Sequence, residues 1–75
     1  MKITGTSSYI EVEIDNKVVK IQGEMIVGGF VAYSDTIVKW EPPHESIIID
    51  KVMKDKIIKD VTDYSKNLKF KITFE

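Results

Sequence analysis

The strongest structural constraint in the sequence is a stretch of alternating side chains between residues 9 and 24. In "YIEVEI", Tyr9–Ile14, apolar side chains alternate with glutamates, which is the pattern of a strand with one buried face. The chain passes through Asp15-Asn16 and returns as "KVVKIQGE", Lys17–Glu24. Asn accepts the positive φ that a tight hairpin loop requires. The sequence therefore predicts an antiparallel hairpin formed by Tyr9–Ile14 and Lys17–Glu24.

Two further regions favour strands. Phe30–Tyr33 follow the pair Gly28-Gly29, and Thr36–Trp40 follow a turn signal at Ser34-Asp35. Their aromatic and β-branched residues suit a pleated, half-buried surface. We therefore expect a second hairpin that joins these two segments. The initial "KITGTSS" favours an additional edge strand, which Gly5 weakens.

The periodicity becomes helical after residue 50. The apolar side chains that share one helical face are Met53, Ile57, Ile58, Val61 and Tyr64. Asp50 is the predicted N-cap, because its carboxylate can accept hydrogen bonds from the first turn. Lys66 and Asn67 are typical of a helix end, a cation followed by a residue that tolerates left-handed geometry. Two acid-before-base ion pairs are expected on the exposed side, Asp50–Lys54 and Asp55–Lys59.

A last alternation, "LKFKITF", predicts a C-terminal strand in which Leu68, Phe70, Ile72 and Phe74 share one side. The expected order is an N-terminal β-meander, one amphipathic helix and this final strand. A helix packed on one face of a largely antiparallel sheet of about five strands would bury every apolar stripe. The expected fold class is therefore α+β, with residues 1–75 forming a single domain.

Composition excludes several classes of function. The chain has no Cys, so it can form neither a disulfide nor a thiolate metal site. It has 11 lysines, no Arg and 12 acidic residues, which gives a net charge of −1. A nucleic-acid interface normally needs a basic footprint, so we expect no nucleic acid as a partner. No apolar run approaches the length of a membrane span, which predicts a cytoplasmic protein with no membrane partner.

Residues 39–46, "KWEPPHES", form the one segment that the predicted strands and helix do not require. His44 beside Glu41 and Glu45 could act as a metal ligand or as a general acid or base. A catalytic zinc site normally uses three protein ligands, and this chain has one His. The two prolines are expected to hold the segment extended and keep the carboxylates apart. We therefore expect no catalytic residue, no metal and no cofactor, and favour a corner of the chain.

Trp40 has two interpretations. A single Trp in a core this small is usually a packing anchor, because aromatic side chains bury so much area. At an exposed strand end the same residue would be an interface hot spot. Pro42 and Pro43 stiffen the loop in either case, which reduces the entropy lost when a partner docks.

Residues 18–75 include "GGFVAYSDTIVKWEPPHE", a predicted helix with "KIIKDV" and the terminal "FKITFE". In these segments the chain resembles a small immunity-protein family of bacterial polymorphic-toxin systems. The most specific part of the resemblance is "WEPPHE", Trp40 to Glu45. The resemblance implies a short α+β cytosolic protein that binds and neutralises a cognate toxin domain and catalyses no reaction itself.

From the residues and the resemblance together we predict a protein-binding domain whose partner is a toxin domain. The expected partner-binding residues are Trp40, Glu41, Pro42, Pro43, His44 and Glu45. Trp40 would be the anchor or its support, and the residues after it would form the rim. The alternative is a homo-oligomeric ligand-binding or structural module, which an exposed face at Phe70 and Ile72 would favour.

Overall fold

A computed structural model describes all residues from Met1 to Glu75. One sheet and one helix make up the architecture, with a short 3₁₀ turn between them. The elements are β1 (Lys2–Gly5), β2 (Tyr9–Ile14), β3 (Lys17–Ile26), β4 (Gly29–Ala32), the 3₁₀ turn (Ser34–Thr36), α1 (Lys51–Lys66) and β5 (Lys71–Phe74).

The five strands form one curled sheet in the order β1-β2-β3-β4-β5. The first three pairings are antiparallel and the β4–β5 pairing is parallel, because the chain crosses over through α1 before it forms β5. The α+β class and the largely antiparallel five-stranded sheet are therefore confirmed. One apolar cluster joins the inner face of the sheet to the helix. It consists of Ile10, Val12, Ile14, Val19, Ile21, Phe30, Ala32, Ile37, Trp40, Ile49, Ile57, Val61 and Ile72.

The predicted first hairpin is confirmed. Its register pairs Ile10 with Ile21 and Val12 with Val19, so the alternating apolar side chains lie on one face. Asp15 and Asn16 both have positive φ, 52° and 65°, as a two-residue loop of this hand requires. The second strand is longer than predicted and extends to Ile26.

Along the extended β3, the paired strand changes from β2 to β4 at Gly23. A Cβ atom at this position would lie 2.1 Å from the carbonyl oxygen of Val31 and 2.5 Å from a ring carbon of Phe30. Only glycine allows the strands to approach this closely.

The predicted second hairpin is wrong. Phe30–Tyr33 do contribute a strand, but Thr36–Trp40 do not pair with it. The free edge of β4 is occupied instead by β5. The 3₁₀ turn directs the chain away, since Ser34 N donates to the carbonyl oxygen of Glu75 at 2.8 Å. The segment that follows inserts Ile37 into the core and crosses back to β3.

The helix begins and ends where the sequence predicts. Asp50 is the N-cap, and its carboxylate accepts a hydrogen bond from Met53 N at 2.8 Å. Asn67 ends the helix without adopting the left-handed conformation, at φ −91°. The buried face contains Ile57, Val61 and, unexpectedly, Ser65. Tyr64, which the sequence assigned to this face, is 41% exposed instead.

The predicted helical ion pairs are also wrong. Lysine precedes the acid in the three i, i+4 pairs that form, at 2.8–2.9 Å, which are Lys51–Asp55, Lys56–Asp60 and Lys59–Asp63. Asp50 caps the helix through its carboxylate and forms no ion pair with Lys54. Lys51, and not Lys59 as predicted, donates a hydrogen bond to the carboxylate of Asp55.

Candidate functional site

The corner at residues 40–45 is positioned by pairing at both of its ends. Trp40 forms an isolated antiparallel bridge with Val19 of β3, and Glu41 N donates to the carbonyl oxygen of Val18 at 2.7 Å. A second bridge, between Lys39 and Ile48, closes the loop. The corner is therefore attached to the sheet next to the β2–β3 turn.

Two consecutive turns shape the corner. His44 N donates to the carbonyl oxygen of Glu41 at 3.0 Å, and Ile47 N donates to the carbonyl oxygen of His44 at 3.0 Å. The Pro42–Pro43 peptide bond is cis. The expectation that the prolines keep this segment extended is wrong, because the chain reverses direction between Glu41 and His44.

Trp40 is part of the core. Its side chain is 1% exposed, and Lys17 Nζ lies 5.6 Å from the ring centroid, within cation–π range. Of the two interpretations of Trp40, the structure shows the packing anchor. In any interface formed by this corner, Trp40 can only support the residues that make the contact.

The five residues after Trp40 line the outside of the corner. Pro42, Pro43 and Glu45 are exposed, and Glu41 and His44 are half-buried. No three His, Asp or Glu side chains of the chain converge as a metal site would require. The surface offers two carboxylates, an imidazole and two proline rings on a constrained loop. This chemistry suits recognition of another molecule.

Sequence reasoning missed a second surface, an apolar cleft at the other end of the β2–β3 hairpin. The cleft has a volume of about 210 Å³ and runs from β1 and the loop after it to the end of α1. Half-exposed apolar side chains line it, namely Met25, Tyr64, Leu68 and Phe70. The sequence analysis did not place Leu68 and Phe70 in a cleft, because the alternation assigned them to the final strand. That strand begins only at Lys71, and the two side chains therefore lie in the preceding loop.

The two edges of the sheet differ in how they are protected. At β5, Ile72 N donates to Ser65 Oγ at 3.2 Å, and this hydroxyl lies 3.5 Å from the Ile72 carbonyl oxygen. The helix thus caps the outer edge of β5. At the opposite edge β1 pairs with β2 alone, and no strand covers its outer side.

The outer face of the sheet is charged, and the helix lies on the other face. Lys20 stands opposite Glu11 in the register, and its Nζ lies 4.1 Å from the ring centroid of Tyr9. Lys2 stands opposite Glu13. This alternation of signs is typical of a solvated face.

Three side chains on the solvent side of α1 have pKa values shifted from their ordinary values. Hydrogen bonds from Lys59 and Lys66 hold the pKa of Asp63 below its ordinary value. The hydrogen bond and charge of Asp63 raise the pKa of Lys59, and Asp60 raises that of Lys56 in the same way. These ion pairs lie at the surface of the helix, so they stabilise it weakly and do not mark a reactive site.

The family model described as Immunity protein 74 matches residues 2–75, which is nearly the whole chain. The match confirms the resemblance to an immunity-protein family. No curated protein and no solved structure matches the chain. No helix of the structure is long and apolar enough to span a membrane.

Proposed function

Because the chain belongs to the Immunity protein 74 family, we propose that it neutralises a cognate toxin domain in the cytosol by binding it directly, without catalysing a reaction. The family match over residues 2–75 carries this proposal. The chemistry of the chain supports binding as the means. The chain has one His, no Cys and no cluster of metal-binding side chains. The outward-facing groups of the corner are suited to contact with another protein.

The corner is the first surface that we propose for contact with the toxin. Glu41, His44 and Glu45 supply charged and polar groups, and Pro42 and Pro43 supply rigid apolar area. The buried Trp40 and the main-chain bridges hold this loop in one arrangement before a partner arrives. A preorganised loop loses less conformational entropy on binding, which improves affinity for a given contact area.

Co-expression tests the function directly. A toxin domain proposed as the partner is induced in a sensitive host with and without the chain, and growth is followed. The purified pair is then titrated by calorimetry. We expect the chain to restore growth and to form a one-to-one complex. Growth arrest that persists in the presence of well-expressed, folded chain would contradict the proposal.

Substitution of Glu45 tests the corner. Glu45→Lys reverses the charge of an exposed side chain, so the fold should stay intact. We expect the Kd for the toxin to rise by about tenfold or more, because the substitution alters a side chain of the proposed interface. The matched control is Glu75→Lys, which makes the same charge change at an exposed position in the last residue of the chain. Equal affinities for both variants would exclude this residue from the interface.

Self-association is the second candidate function. The uncovered edge of β1 and the half-exposed Phe70 favour it, since an open strand can pair with another copy. Size-exclusion chromatography with light scattering distinguishes the two functions. A monomer that becomes a heterodimer when toxin is added supports the immunity function. A stable homo-oligomer whose mass does not change when toxin is added supports self-association.

A further inference from the structure

We propose that the cleft and the open edge of β1 together bind an extended segment of the toxin. In this arrangement the segment pairs with β1 as a sixth strand of the sheet and inserts one large apolar side chain into the cleft. The inference rests on the proposed function and adds a second contact surface, separate from the corner.

The open edge of β1 indicates that the occupant is a strand. An uncovered edge presents unpaired N–H and C=O groups, which pair readily with another extended chain. The contrast with β5 strengthens the inference. The edge of β5 is closed by the buried Ser65, whose hydroxyl bonds to Ile72, whereas β1 has no corresponding cap.

The size of the cleft indicates that it takes a single side chain. A cavity of about 150 Å³ accommodates benzene, whereas sites for small-molecule ligands usually measure about 300–1,000 Å³. At about 210 Å³ the cleft lies between these values. Ile3 of β1 and the half-exposed Leu68 and Phe70 are among the residues that line it. The arrangement therefore suits one aromatic or large aliphatic side chain that projects from a strand paired with β1.

The lysines of the loop beside the cleft indicate which charge the bound toxin segment should carry. Residues 66–71 contain three lysines and no acid, and two of these lysines, Lys69 and Lys71, flank Phe70. Lys66 pairs with Asp63, and Lys71 donates to main-chain carbonyl groups at the end of α1. Lys69 forms no ion pair. A segment with a carboxylate beside its apolar anchor would complement Lys69, which precedes Phe70 in the chain.

The cleft and the corner are separate surfaces. The corner is attached to β3 at Val19, whereas Met25, six residues further along the same strand, lines the cleft. Six residues of strand span at most about 20 Å, and Ile3, which also lines the cleft, lies three strand spacings from Trp40, or about 14 Å. A substitution in one surface should therefore leave the other surface unchanged.

Leu68→Lys tests the cleft by placing a charge among its apolar side chains. Leu68 is 40% exposed in the free chain, so the substitution should be tolerated. The control is Val52→Lys, which makes the same type of change on the first turn of α1, where the side chain is 78% exposed. We expect Leu68→Lys to raise the Kd for the toxin by about tenfold or more and Val52→Lys to leave it unchanged.

Hydrogen exchange of β1, followed by NMR, tests the strand pairing without any substitution. In an antiparallel pair every second amide points away from its partner strand. The outward amides of β1 should exchange rapidly in the free chain and be protected when the toxin is bound. Unchanged exchange in the complex would overturn the strand pairing, even if Leu68→Lys weakens binding.

The outcomes separate the two proposals. If the wild-type chain neither restores growth nor binds the toxin, the proposed function and this inference fail together. If the wild-type chain binds but Leu68→Lys binds equally well, only the inference fails. Protection of β1 in the free chain, together with a dimeric mass, would assign the edge to a second copy and would also overturn the inference.

Discussion

Replacing Ser65 with alanine should destabilise the fold by about 1–2 kcal/mol, although the substitution removes one hydroxyl from a helix. Ser65 is 2% exposed and Ile72 is 3% exposed, so the contact between them is shielded from water. The Ser65 hydroxyl accepts from Ile72 N at 3.2 Å and lies 3.1 Å from the carbonyl oxygen of Thr62. Without it, the outward N–H of Ile72 has no partner.

The magnitude follows from two opposing terms. An unsatisfied buried donor costs about 1–3 kcal/mol. Alanine has a higher helix propensity than serine, which offsets about 0.5 kcal/mol of that cost. The first term is larger because Ile72 lies in an edge strand under the helix, where water cannot reach the free N–H. For a chain of this length the net loss should lower Tm by about 5–15 °C.

The assay is urea unfolding followed by the fluorescence of the buried Trp40 and by circular dichroism. Ser46→Ala is the matched control, because it removes the same hydroxyl from an exposed loop position, where the effect should stay within about 0.5 kcal/mol. Ser65→Ala should lower the midpoint and leave the m-value unchanged. Equal midpoints for Ser65→Ala and the wild-type chain would refute the assigned role of this hydroxyl.

Two further predictions concern the sheet and the helix surface. Gly23→Ala should cost about 3 kcal/mol or more, or abolish folding, because the added methyl group would lie 2.1 Å from the carbonyl oxygen of Val31. A Tm equal to that of the wild-type chain would contradict the close approach of β3 and β4 at this position. The depressed pKa of Asp63 stabilises the fold above the ordinary carboxyl pKa, and this contribution is lost as pH falls through the folded-state value. The difference in Tm between the wild-type chain and Asp63→Asn should therefore be larger at pH 7 than at pH 2.5, and should shrink with added salt. An equal difference in Tm at both pH values would contradict the stabilising role of the ionised Asp63.

The elements that the sequence predicted correctly are those defined by neighbouring residues. Alternation from Tyr9 to Ile21 fixes which side chains of the first hairpin are buried, and Asp15-Asn16 supply its turn. Asp50 marks the start of the helix because a cap acts only within its own first turn. In each case the deciding interaction is local, so one sequence is sufficient to identify it.

The incorrect predictions depend on contacts between distant residues. Thr36–Trp40 have strand-forming composition, but β5 takes the edge of β4 that they would have needed. Ser65 is polar, so a search for apolar periodicity passes over it, and its burial depends on its contact with the outward N–H of Ile72 in β5. The cleft likewise forms from three separate parts of the chain. No local pattern in "LKFK" distinguishes a strand from a loop that borders such a cleft.

The size of the molecule bears on how it could bind a toxin tightly. A stable interface buries about 800 Å² on each partner, which is roughly a sixth of the 4958 Å² surface of this chain. A corner of five outward residues is a small part of that area, and a cleft that admits one side chain is smaller still. Tight neutralisation therefore requires the toxin to contact more than one surface of the chain. Because the corner lies beside β3 and the open edge of β1 lies beyond β2, on opposite sides of the β2–β3 hairpin, a partner that spans the hairpin would reach both, and their contributions to affinity would add.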